Sequence, residues 1–117
     1  MSINILTSID LPDGFIYPEQ YLKVIELHLI NLVPWYIIDA ENAKMRLDGM
    51  RKRYHYRQLI PFAERRDNDD VACFEVGKGD EVVIIHDFAS PGFEQRQTYD
   101  SFWVWFRIAI DDMIDFD

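Results

Sequence analysis

Val71-Ala72-Cys73-Phe74-Glu75-Val76, Gly77-Lys78-Gly79-Asp80-Glu81 and Val82-Val83-Ile84-Ile85-His86-Asp87 form the stretch that decides the fold. Two runs rich in β-branched and aromatic residues flank a short loop holding two glycines, which is the pattern of a β-hairpin. Val82 to Ile85 is apolar at every position rather than at alternate ones, so this strand is expected to lie inside a sheet covered on both faces. Upstream, Leu59-Ile60-Pro61-Phe62-Ala63 reads as a strand that Pro61 confines to an edge or a strand start. Downstream, Ala89-Ser90-Pro91-Gly92 is a turn, and Phe93 to Thr98 is read as a further edge strand.

Helical periods bracket these strands. Leu11-Pro12-Asp13-Gly14 is a turn, and Pro18 suits the first position of a helix whose dipole favours Glu19. Tyr21, Ile25, His28 and Leu32 recur at helical spacing, so this helix is expected to run to Val33, where Pro34 ends it. A second, more polar helix is expected from Asp39 to Arg53, with Ala43, Met45, Leu47 and Met50 as its apolar stripe. The last helix starts near Asp100 as N-cap, with Phe102, Phe106, Ala109, Ile110 and Met113 on one face. Trp103 to Phe106 alone would also read as a strand, but the helical period extends well beyond it. The expected class is α+β: an antiparallel sheet of four to six strands, with N-terminal helices and a C-terminal helix packed on it.

The chain has 117 residues, 49% hydrophobic and 15% aromatic, which supports one domain spanning 1–117 and excludes a disordered chain. No run approaches a membrane span, and the Met1-Ser2-Ile3-Asn4 start lacks a secretory pattern. With the lone Cys73, this leads to the expectation of a reducing, cytoplasmic compartment.

The net charge of −9 is unevenly spread. Residues 1–40 carry −4, with Lys23 against five acids. Residues 41–66 carry +5, with Lys44, Arg46, Arg51, Lys52, Arg53, Arg57, Arg65 and Arg66 against Glu41, Asp48 and Glu64. Residues 67–117 carry −10, with Lys78, Arg96 and Arg107 against thirteen acids. Such a balance repels nucleic acid and speeds the approach of basic proteins; simple solubility is the plainer reading. Arg51-Lys52-Arg53-Tyr54-His55-Tyr56-Arg57 mixes bases and aromatics as a nucleic-acid patch does, yet a solvated helix end accounts for it.

No pattern of chemistry survives comparison with its plainer alternative. Cys73 and His86 lie on the two strands of the hairpin and are the candidates for a Cys/His hydrolase. They lack an orienting third residue, and a strand cysteine is usually a small hydrophobe. His28 reads as a core or interface histidine, and His55 as part of a solvated connection. Asp67-Asn68-Asp69-Asp70 lacks the glycine and distal glutamate of a calcium loop and fits a turn closed by Asx side chains. Zinc spacing and a phosphate cradle are absent, so no metal or cofactor is expected. Leu27, Ile30, Val104 and Ile108 fall on the polar sides of their helices, and this surplus apolar surface points to a protein partner or a homo-oligomer.

Three passages resemble the SUKH superfamily, which contains bacterial immunity proteins against polymorphic toxins and yeast cell-wall assembly regulators. They are Leu11-Pro12 ahead of a helix with Tyr21; Leu59-Ile60-Pro61-Phe62-Ala63 with its acidic turn and the strand from Val71; and Ser101-Phe102-Trp103-Val104-Trp105-Phe106. The resemblance implies a non-enzymatic protein-binding domain, in the first place an immunity protein that neutralises a cognate toxin such as a nuclease. A regulatory scaffold or small-ligand module of the same fold is the alternative. A nuclease presents cations to phosphate, and an acidic inhibitor competes for them. Asp67, Asp69, Asp70, Asp80, Glu81 and Asp87, on acidic turns and strand ends, are the expected contact residues.

Overall fold

Cys73 and Phe74 are neighbours on one strand, so their side chains leave opposite faces of the sheet. In a computed structural model that describes residues 3–116, the Cys73 sulfur lies 3.9 Å from that of Met50 in one helix layer, while the Phe74 ring meets Tyr21 and Phe102 in the other. The hairpin is thus the middle of a three-layer sandwich. In chain order the elements are α1 (Glu19–Glu26), β1 (Asn31–Leu32), β2 (Trp35–Ile37), α2 (Ala40–Arg53), β3 (Leu59–Arg65), β4 (Asp70–Glu75), β5 (Val82–His86), β6 (Gln95–Tyr99) and α3 (Phe102–Asp115). The six strands pair antiparallel in sequence order, with α1 and α3 on one face and α2 on the other. The expected α+β class, hairpin and edge strand β6 are all present, and Val82 to Ile85 are buried. Among the described residues, no helix is long and apolar enough to cross a membrane.

The first helix is shorter than its period suggests. It ends at Glu26 because His28 turns into the left-handed region at φ 59. Leu29 N then donates to Val24 O and His28 N to Ile25 O, the paired bonds of a Schellman stop. Of the freed residues, Asn31 and Leu32 become β1, which pairs with β2 as β2 pairs with β3, and this pairing outweighs the helical reading of a short apolar run. His28 is consequently exposed rather than packed in a core.

Pro61 lies on the third of six strands, not on an edge strand, yet the physics behind the expectation holds locally. β2 pairs only with residues 63–65 of β3, so at Pro61 no second neighbour asks for the missing N–H. A bulge between Pro61 and Ala63 leaves Phe62 without a partner on β4. Phe62 stacks on Phe74 at 4.3 Å and meets Tyr21 and Trp105 edge-on.

α2 starts where expected, with the Asp39 carboxylate accepting from Asn42 N at 3.0 Å; Met45 is exposed, while Ala43, Leu47 and Met50 are buried. In α3 the cap is Ser101, one residue beyond Asp100, and its hydroxyl accepts from Val104 N. The buried stripe is Phe102, Trp105 and Ala109, rotated from the expected face so that Met113 is exposed. Trp35 explains the rotation: its ring lies edge-on to Trp105 at 5.5 Å, and its Nε1 donates to Asp112 on α3 at 3.0 Å.

Candidate functional site

Antiparallel pairing sends the six candidate acids to opposite ends of the sheet. Asp67, Asp69, Asp70 and Asp87 gather at the end holding the β3–β4 turn, since Asp70 pairs with His86 across β4 and β5. Asp80 and Glu81 precede β5 at the other end, about 20 Å away along the six residues of β4. They do not form one contact surface.

Their surroundings differ as well. Asp67 and Asp69 are exposed. Arg65 grips Asp67 through two bonds of 2.9 and 2.8 Å and holds its carboxyl below the usual carboxylate range. Asn68 closes the expected Asx turn by accepting from Asp70 N at 2.8 Å. Asp70 is half-buried beside Arg96 Nε at 3.0 Å and His86 at 3.3 Å. Asp80 and Glu81 are half-buried, and Asp80 accepts from Phe102 N and helps cap α3. Asp87 is fully buried, so it is an internal anchor rather than a group presented to a partner.

Cys73 and His86 do not meet. Cys73 pairs with Val83, and His86 lies three residues further along β5, an odd offset that places it on the opposite face. The Cys73 thiol is wholly enclosed, and burial drives its pKa well up, away from the nucleophilic thiolate. Among the described residues, no three His, Cys, Asp or Glu side chains come together as a metal centre requires.

What the fold does build is a clamp. The basic-aromatic run at the end of α2 is only partly solvated: Arg51, Lys52 and His55 are exposed, while Arg53, Tyr54, Tyr56 and Arg57 all reach the 87–94 loop. Arg53 donates Nε and Nη2 to Asp87 at 2.9 and 2.6 Å, and Tyr54 OH donates to Ala89 O at 2.8 Å. Tyr56 OH donates to the Glu94 carboxylate at 2.9 Å and accepts from Gly92 N at 2.9 Å. Arg57 bridges Glu94 and Glu75 at 3.0 and 2.9 Å, and these acids, Glu75 first, raise its pKa above the ordinary arginine value. Burial alone would raise the Glu94 pKa. Hydrogen bonds from its own backbone N–H, the Tyr56 hydroxyl, the Arg57 guanidinium and Gly92 N outweigh this and hold it low. Earlier on α2, Arg46 joins Asp87 at 2.8 Å and Glu64 at 2.9 Å. Periodicity shows a basic run; only the sheet order brings Asp87 and Glu94 to it.

Between α2 and this loop opens a cleft of about 350 Å³, whose lining includes Met45, Arg46, Gly49, Arg53, Asp87 and Phe88. Its two guanidiniums face the carboxylates of Glu64 and Asp87, so the charges balance inside it. Phe88 stands at its edge, with φ 71 and its ring 4.2 Å from the Arg53 guanidinium. The loop is thus pinned on both sides, and the charged side chains of the cleft are paired with one another. No family model, no curated protein and no solved structure matches the chain.

Proposed function

We propose that this chain is a non-enzymatic protein-binding domain of the SUKH kind, an immunity protein acting in a bacterial cytoplasm against a cognate toxin with a basic, nuclease-like surface. The observation that carries the reading is where the positive charge goes. Arg46, Arg53, Arg57 and Arg65 are taken up by Glu64, Asp67, Glu75, Asp87, Glu94 and Asp112 within the chain. These four are half of the eight bases of the middle segment, while Arg51, Lys52 and Arg66 are exposed; Asp69, Asp100, Asp111 and Asp115 are exposed acids of the second half, and the chain as a whole keeps a net charge of −9. A surface of this sign favours cationic partners and raises their rate of encounter.

The test is co-purification with the toxin domain encoded beside it, followed by titration at rising salt. Tight binding that weakens steeply with salt, together with loss of the toxin's activity, is the expected result. No binding at any salt sinks the reading. A small-ligand module is the second reading, favoured by the cleft beside Phe88; a rise in Tm with one compound of a metabolite panel, and none with the toxin, would support it instead.

A further inference from the structure

We propose that the outer face of α3 binds a second copy of this chain, the two α3 helices lying antiparallel about a two-fold axis level with Ala109. The core side of α3 is Phe102, Trp105 and Ala109. Opposite it, at successive spacings of three, four and three, run Val104, Arg107, Asp111 and Ile114, one stripe along the helix. All four are exposed, Val104 by 41% and Ile114 by 70%.

The order along the stripe names the occupant. Read forwards it is aliphatic, cation, anion, aliphatic; read backwards, the two charges change places. Two antiparallel copies therefore set Val104 against Ile114 of the second copy and Arg107 against Asp111 of the second copy, and each contact occurs twice. A parallel pairing would instead set Arg107 on Arg107 and Asp111 on Asp111. Neither charge is engaged within the fold: among the described residues Arg107 and Asp111 join no ion pair, although they stand four apart on one helix. Arginine ahead of aspartate is the less favourable order for such a pair, since each charge then opposes the helix dipole. The adjacent Asp112, by contrast, is bound to Trp35 and Arg65. The stripe is only about 15 Å long, so a weak, concentration-dependent dimer is expected rather than an obligate one. α1 packs beside α3, and its exposed Leu22 adds apolar surface to the same layer.

Sedimentation equilibrium of the intact protein from about 10 µM to about 1 mM is the test, and the wild type should pass from monomer to dimer across it. Arg107→Asp and Asp111→Arg each bring like charges face to face and should weaken the dimer at least about tenfold. The double variant restores both pairs in reverse and should recover wild-type association. Lys52→Asp, on the other helix layer, changes the net charge as Arg107→Asp does and should leave the dimer intact. All three positions are exposed, so Tm should stay within a few degrees and reports that each variant is folded. A monomer throughout, a dimer indifferent to the single reversals, a double variant that fails to recover, or an equal loss from Lys52→Asp overturns the proposal. The immunity reading is tested separately, by toxin binding, and stands or falls whether or not the chain dimerises.

Discussion

Replacing Asp87 with alanine should destabilise the protein by about 3 kcal/mol, at the low end of the cost of breaking a buried ion pair. The carboxylate is fully enclosed and accepts from Arg46 Nη1, Arg53 Nε and Nη2, and Phe88 N, at 2.8, 2.9, 2.6 and 3.0 Å. Its loss strands two guanidiniums. The upper end of the range does not apply, for two reasons. The arginine side chains are 21% and 28% exposed and can turn towards water, and Arg46 keeps Glu64 at 2.9 Å. For a chain of this size the cost corresponds to a Tm lower by roughly 10 °C. Thermal and denaturant unfolding followed by circular dichroism measure it. The control is Asp67→Ala: that acid also holds an arginine, Arg65, but at an exposed turn, where such a pair contributes less than about 1 kcal/mol. Equal losses for the two variants would refute the reasoning, because burial and a second arginine set Asp87 apart from Asp67.

Gly49→Ala sets two effects against each other. Alanine gains about 1 kcal/mol of helix propensity. Its methyl, however, would sit 2.8 Å from Arg53 Nη2, the far end of a flexible side chain, which must shift while Nε keeps its bond to Asp87. Weakening one charge-assisted bond offsets the propensity gain, so Tm should change by no more than a few degrees; a fall of about 10 °C would show that the guanidinium cannot yield. Glu94, with its lowered pKa, gives stability that is complete above the ordinary glutamate range and is lost as pH falls through and below the folded-state value. Tm followed from about pH 6 to about pH 3 should therefore drop less steeply in Glu94→Gln than in the wild type; superimposable slopes would remove Glu94 from the clamp.

Much of the architecture can be read without coordinates, where the signals are local. The Gly-containing hairpin, the Asp39 cap of α2 and the Asx turn at Asn68 each depend on residues within a few positions of one another. The errors fall where the deciding contact is distant or leaves no mark. The stop at His28 uses a residue that is not glycine, and β2, with β1 paired to its other edge, forms because β3 is there to pair with it. Trp105 becomes the buried centre of α3 because Trp35, through its ring contact and its bond to Asp112, sets the helix's rotation.

For function, composition and order along the chain determined that this is an α+β domain with a basic middle and an acidic second half. Which acids stay open to solvent was decided only in three dimensions. Asp87 looks like a strand-end carboxylate until the sheet order lays β5 beside α2, where Arg46 and Arg53 enclose it. Asp69, next to a similar strand end, stays in water. The physical reason is that charge is a property of residues, whereas burial and pairing are properties of their neighbours, and a neighbour far along the chain leaves no local trace.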